Sequence, residues 1–400
     1  MASGGNPRLS GSAGVATALA MSVLLSASIQ DRRVLGSPEL SSGLMSVDAP
    51  AVMAGGFIYT SGLLGLEAAG QRDQPDINIE ARRALERLKA VLEAAGSSLD
   101  QAVHVSVYLK NPGDFQTMNG VYREFFPDRA PARTTVSADL PGNALIMVSA
   151  VAVPAGAPRE TLHPSGWVKS PQLSYGVRAG DLVFLSGLVS RRGADDQVVP
   201  GSIGLQTRTI LENAGALLRA AGLSYEDVVA ARVYLADDSL FEAMNDEYRR
   251  FFPTGPPARS TAITRLINVD SSVEIALIAS TVDKQLIGPT VSPSLPVSTA
   301  VRVGPRVFLS GVLGNTDTNL GDAAAQTYEV LGHITHALEL AGLTPADIVD
   351  TTVYLPDLWQ FDRMDRVYRE IFTKPGARTT IGAKLVTRAG LVEMMATAVK

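Results

Sequence analysis

Two arginine–glutamate pairs recur at one spacing in this 400-residue chain: Arg259 with Glu274, and Arg378 with Glu393, fifteen residues apart each time. A planar guanidinium grips a carboxylate through two parallel charge-assisted hydrogen bonds. A glutamate inside an apolar run such as Val273-Glu274-Ile275-Ala276-Leu277 is costly to bury without a partner. Two neighbouring strands could bring such a pair to one cleft, where it would bind an anion and move a proton. A structural ion pair between adjacent strands fits the same pattern, and duplication would copy either one. A third arginine, Arg133, lies at the corresponding place, but Met147 stands where the glutamates would be. An ion pair that lost its acid would leave a buried guanidinium, whereas a site that still binds an anion could keep its arginine. The asymmetry favours the functional reading, with complete sites in the second and third copies and a degenerate one in the first.

Other chemistry is poorly supported. The chain has no cysteine, which removes disulfides, thiolate nucleophiles and Cys-ligated zinc. His333 and His336 sit three apart without a matching acid elsewhere, and His104 and His163 have no partners in the pattern, so no metal set emerges. Asp317, Asn319 and Asp322 lack the spacing and closing glutamate of an EF-hand. No phosphate-cradling glycine motif appears, and no cofactor is expected. With 35 basic and 40 acidic residues and a net charge of −5, a nucleic-acid surface is not expected.

The elements that must position these residues repeat three times. Phe57-Ile58-Tyr59-Thr60-Ser61-Gly62 returns as Val183-Phe184-Leu185-Ser186-Gly187 and Val307-Phe308-Leu309-Ser310-Gly311. Val107-Tyr108-Leu109 returns at Val233 and Val353, and Ala132-Arg133-Thr134-Thr135 returns at Ala258 and Ala377. Each copy predicts a strand ending at Ser-Gly and a helix with one apolar face, such as Leu85, Leu88 and Leu92. The helix is closed by Gly96, Gly222 or Gly342. An alternating strand, a second helix ending before Pro127 or Pro253, and two more strands follow, giving an α+β order of β-α-β-α-β-β. The expected units are 47–154, 171–283 and 297–400, joined by Pro/Gly/Ser-rich linkers. Helices on one face leave the other face of each sheet to be covered, so the three copies are expected to pack as a pseudo-trimer within one chain.

Residues 1–46 read differently, as a leader outside the fold. Arg8, the apolar run Val15 to Leu25, and the small residues Ser26 and Ser28 are the parts of an export signal, too short to span a membrane. A periplasmic or exported location follows if it is one, and a cytoplasmic location if it is a low-complexity tail.

Taken together, the blocks resemble the RidA/YjgF family of enamine and imine deaminases, once per copy from about Phe57 to Lys400. The second copy carries Ser186-Gly187, the Asn245 to Phe252 helix, Arg259 and Glu274; the third has Ser310-Gly311, Arg378 and Glu393, with Asp365 in place of the asparagine. The resemblance implies a chorismate-mutase-like fold, homotrimers with clefts between subunits, and hydrolysis of 2-iminobutanoate- or 2-iminopropanoate-like acids to 2-keto acids and ammonia. In that scheme Arg259, Arg378 and Arg133, with Ser186, Gly187, Ser310, Gly311 and Asn245, bind the substrate carboxylate. Glu274 and Glu393 activate water, and Thr261 and Thr380 hold it. The family's upstream tyrosine is replaced by Leu173 and Val297. A non-catalytic binder of small carboxylates is the alternative, and ribonuclease activity sits badly with the acidic balance.

Overall fold

The computed structural model describes residues 1, 32–36, 40, 48–66, 76–292, 295–374 and 376–400. Among the described residues three long helices, Ile77–Ala94, Ile203–Ala220 and Ala323–Leu340, start and stop where side chains can satisfy their ends. Asp76 accepts from the backbone N–H of Asn78 (2.7 Å), Ser202 from that of Leu205, and Asp322 from those of Ala324 and Ala325. Asp322 is thus a helix cap rather than a cation ligand. Each helix closes on a glycine at positive φ (+76°, +72° and +67° for Gly96, Gly222 and Gly342), a conformation that a Cβ would strain. Their apolar stripes lie on the sheets: Leu85, Leu88 and Leu92 are fully buried, and each such side chain contributes about 2–3 kcal/mol.

Each copy is one sheet with two helices on one face. In the second, Ala258–Ile263 runs parallel to Val228–Leu235, which is followed by the antiparallel strands Val273–Ser280, Leu182–Leu185 and Gly176–Ala179. The other two copies repeat this order. The fold class is the expected α+β, with one strand more per copy: a hairpin partner, Ala51–Ala54, Gly176–Ala179 or Leu295–Val303, precedes each Ser-Gly strand.

Two expectations need correcting. The linkers are partly sheet, since Arg159–Leu162 pairs with Gly176–Ala179 and Gln285–Ser292 pairs with Leu295–Val303. Gln285–Ser292 carries Gly288-Pro289, which an edge strand tolerates, and Arg159–Leu162 is a short strand set among prolines and glycines, so composition alone reads as linker. Nor does 1–46 stand apart as a whole. Arg33–Leu35 adds an antiparallel strand to Ala51–Ala54, and Arg32 donates to the Ile348 carbonyl of the third copy (3.3 Å). The run Val15 to Ser28, which carries the export reading, lies outside the described residues. Among the described residues no helix is long and apolar enough to cross a membrane.

The helix-free faces of the three sheets meet. Val52, Phe57 and Tyr59, Val177, Leu182 and Phe184, and Val301, Val303 and Phe308 form one apolar cluster, with Phe57 edge-on to Phe184 at 5.7 Å. Arg306 joins all three copies by donating to the Gly55 carbonyl (2.9 Å) and pairing with Asp181. Further along the contact lie Tyr108, Tyr234 and Tyr354, one from each copy. Beside them are the ion pair Arg232–Asp350 (3.7 Å) and His104, whose Nε2 meets Thr134 Oγ1 at 3.1 Å. Burial pushes His104 down to about 3, so it is neutral, and its place in the core is structural.

Candidate functional site: three clefts between copies

Within one copy, the arginine and glutamate that recur at fifteen residues do not meet. Arg259 pairs in register with Ala231, and Ala231 with Leu277, so all three side chains share the helix-covered face. Glu274 lies three residues before Leu277 and faces the opposite way, toward the neighbouring copy. The expectation of an intracopy pair is overturned by strand alternation. Arg133 instead shares a cleft with Glu274 of the second copy and Arg259 with Glu393 of the third, whereas Arg378 faces Met147 of the first.

The first cleft joins copies one and two. The strand Ala132–Ser137 is a sheet edge, and its outward groups are capped by the neighbour. Arg133 N–H donates to Ser186 Oγ (2.9 Å), which donates on to the Ser174 carbonyl (2.7 Å). Gly187 N–H donates to the Arg133 carbonyl (3.0 Å), and Thr135 N–H donates to Glu274 Oε1 (3.2 Å). The Arg133 side chain stacks over Tyr122 (4.6 Å) and Phe115 (5.7 Å), and its Nη1 donates to Asn119 Oδ1 (2.8 Å). Among the described residues its Nε and the Thr135 hydroxyl find no partner although both are buried. Burial pushes Glu274 up to about 8, against the lowering pull of the Thr135 N–H and of Arg133. These groups line a cavity of about 370 Å³ shared with Trp167 and Tyr175. A Cβ on Gly187 would run into the Glu274 carboxylate, so any larger residue there must displace that carboxylate.

The second cleft repeats this with copies two and three. Arg259 N–H donates to Ser310 Oγ (2.9 Å), its Nη2 donates to Asn245 Oδ1 (2.7 Å), and its guanidinium lies over Tyr248 (4.8 Å). Among the described residues Arg259 Nη1 and Asn245 Nδ2 are buried without partners. Glu393 is pushed up to about 7 by burial, opposed by the Thr261 N–H and Arg259. Gly311 packs against Glu393 as Gly187 does against Glu274.

The third cleft differs. Arg378 N–H donates to Ser61 Oγ (2.9 Å) and Gly62 N–H to the Arg378 carbonyl (3.0 Å), as elsewhere. Met147 stands in the glutamate's place, its sulfur close over Gly62. Arg378 Nε donates to Asp48 (3.1 Å) and Nη2 to Asp365 (2.5 Å).

The degenerate cleft is therefore the one holding Arg378 and Thr380, not the one holding Arg133. Arg133 belongs to a complete constellation because Met147 faces copy three. Thr135 and Asn119 went unrecognised, although the same two-residue step from Arg133 and the helix pattern reach them. Asp48 was also missed. It stands thirteen residues before Ser61, as Leu173 and Val297 stand before Ser186 and Ser310. A larger cavity of about 610 Å³ lies elsewhere, but its cations Arg265, Lys384 and Arg388 are exposed to water and no buried acid faces them. Among the described residues no cluster of histidines and acids could hold a metal.

The family model described as endoribonuclease L-PSP matches the chain three times, at 48–154, 169–281 and 290–400. A RutC family protein of Pyrococcus horikoshii is 41% identical over 104 residues, 26% of this chain and 82% of that protein. The 2-iminobutanoate/2-iminopropanoate deaminase of Dermatophagoides farinae is 33% identical over 124 residues, 30% of this chain and 96% of its own. A crystal structure of chorismatase covers 75% of this chain and 93% of its own with a TM-score of 0.52 at 14% identity, a likeness of fold.

Proposed function

Because the chain belongs to the endoribonuclease L-PSP family, which takes in the RutC and RidA-like proteins, we propose that its first two clefts hydrolyse small 2-imino acids to 2-keto acids and ammonia. One observation carries the reading: at Arg133 a buried guanidinium with an unpartnered donor, a buried unpartnered hydroxyl and a carboxyl held protonated near neutrality converge on one cavity. The deaminase relatives, each matching one copy, point the same way. The same reading takes the chain as a trimer of copies fused end to end, self-contained and with no subunit partner to complete its sites.

The chemistry follows from the groups present. Arg133 binds the substrate carboxylate through Nε and an Nη, which leaves the imine carbon facing Glu274. Protonated Glu274 gives its proton to the imine nitrogen. A water held by Thr135 Oγ1 attacks the carbon of the C=N bond, and the Glu274 carboxylate takes the proton that this water releases. In the carbinolamine that forms, the nitrogen takes a proton from Glu274 and leaves as ammonia. The hydroxyl proton returns to Glu274 as the C=O bond closes. The net reaction is imine plus water to ketone plus ammonia. Arg259, Thr261 and Glu393 repeat these roles in the second cleft.

The test is to generate 2-iminobutyrate in situ and follow ammonia release by wild type, Glu274→Gln, Glu393→Gln and the double variant. Loss of part of the rate in each single variant and all of it in the double is expected. Release at the uncatalysed rate by wild type would reject the enzyme reading in favour of a carboxylate binder.

A further inference from the structure

The three clefts are built alike up to one position. In each, a serine hydroxyl donates back to a carbonyl twelve residues earlier: Ser61 to Ala49, Ser186 to Ser174, Ser310 to Ser298. The residue just before that carbonyl is therefore equivalent in all three, and it is Asp48, Leu173 or Val297. Leu173 lines the first cavity. At the third cleft the same position delivers a carboxylate to Arg378.

The consequences at the guanidinium are clear. Among the described residues Arg133 and Arg259 each have one side-chain acceptor, the amide oxygen of Asn119 or Asn245, and each keeps a buried unpartnered N–H. Arg378 has Asp48 on Nε, Asp365 on Nη2 and the sulfur of Met364 at 4.0 Å from Nη1. Asp365 is held in turn by Arg369 (2.7 Å), which leaves the local charges balanced. Stacking over Tyr368 (4.3 Å) and Phe361 (5.6 Å) matches the other two clefts. The clamp is thus intact and its ligand position is filled.

We propose that the third cleft is a carboxylate-binding site that carries its own ligand, with the Asp48 side chain occupying the place on Arg378 that a substrate carboxylate takes in the other two. Its location gives that occupancy a use. Copies one and two, and copies two and three, are joined by continuous chain, whereas copies three and one are not. Asp48–Arg378 closes that open seam, next to the Ala49 N–H bond to the Gly376 carbonyl (3.3 Å) and the Arg32 contact with Ile348. A site became a fastener.

The inference borrows its ligand chemistry from the deaminase reading, but it is tested separately. Crystals of wild type, Asp48→Asn and Asp48→Asn/Asp365→Asn would be soaked with 2-oxobutyrate, and binding stoichiometry measured by calorimetry in solution. Expected are an Arg378 free of ligand in wild type, a carboxylate on Arg378 in at least the double variant, and one more ligand bound per chain. A ligand on Arg378 in wild type, or an empty Arg378 in both variants, overturns the proposal. Should the variants be marginally stable, butyrate must raise their Tm more than it raises that of wild type, and an equal rise also overturns it. Ligand on Arg378 of the variant with none on Arg133 or Arg259 would sink the deaminase clamps and leave this inference standing.

Discussion

The two complete clefts should lose activity at different pH, and the difference tests the acid–base assignment directly. Glu274 and Glu393 are equally deep and are lifted chiefly by burial, the first to about 8 and the second to about 7. Each keeps a backbone N–H and an arginine that pull the other way. One unit corresponds to about 1.4 kcal/mol between protonation states and a tenfold change in their ratio. Both carboxyls are therefore lifted into the neutral range, Glu274 further than Glu393, so near neutrality Glu274 holds its proton more firmly. If the proton on the glutamate is the one delivered to the imine nitrogen, kcat/KM falls as pH rises, and the second cleft fails first. Isolating each cleft makes this measurable: Glu393→Gln leaves the Glu274 cleft, Glu274→Gln leaves the other, and glutamine keeps an acceptor for the threonine N–H. With 2-iminobutyrate generated in situ and the spontaneous rate subtracted, Glu393→Gln should show a descending midpoint above that of Glu274→Gln. The substrate's own ionisation is common to both profiles and cancels from the difference. Coincident midpoints, reversed order, or activity that rises through pH 7 to 8 would refute the assignment.

Two other substitutions separate catalysis from packing. Gly187→Ala places a methyl group against the Glu274 carboxylate and should abolish first-cleft turnover while sparing the second; Gly311→Ala should do the converse. Ammonia release in the Glu393→Gln and Glu274→Gln backgrounds reads each cleft alone, and equal loss at both clefts from either glycine change would contradict the geometry. At the centre, Arg232→Met leaves the partly buried Asp350 without its counter-charge, and Asp350 is already pushed up to about 6 by its surroundings. That change should cost about 1–3 kcal/mol in denaturant unfolding, less than for a fully buried pair, and adding Asp350→Leu should restore most of it. Additive losses in the double-mutant cycle would show that the pair is not coupled.

Local rules carried the sequence a long way and stopped at a definite point. Helix caps such as Gly96 and Gly222, the apolar stripe through Leu85, Leu88 and Leu92, and the repeated Ser-Gly strands depend on neighbours within a few residues, so they could be read directly. The partnership of Arg259 could not. It depends on register and strand alternation, which put Glu274 on the face away from Arg259, and on which copy lies beside which. The linkers hid Gln285–Ser292 because an edge strand tolerates the Gly288-Pro289 it carries, and Arg159–Leu162 because it is short and set among prolines and glycines. Asp48 was within reach of spacing alone, since thirteen residues before each Ser-Gly serine is a rule the other copies supplied. It was obscured by lying next to the unlike residues of the N-terminal segment.

The contacts that would do chemistry are also the contacts that hold the copies together. Ser186, Gly187 and Glu274 satisfy the open edge of the strand carrying Arg133, where unpaired N–H and C=O groups would otherwise be exposed. This explains why a cleft can lose its acid without losing its serine and glycine: Ser61 and Gly62 still cap the edge at Arg378. It also explains why the buried arginine persists there, since a guanidinium stacked on Tyr368 needs an anion once no substrate supplies one. In a trimer of identical subunits, an aspartate at the Asp48 position would fill all three clefts at once. A fused chain can place it at one seam only, so the change that fastens copy three to copy one leaves Arg133 and Arg259 open.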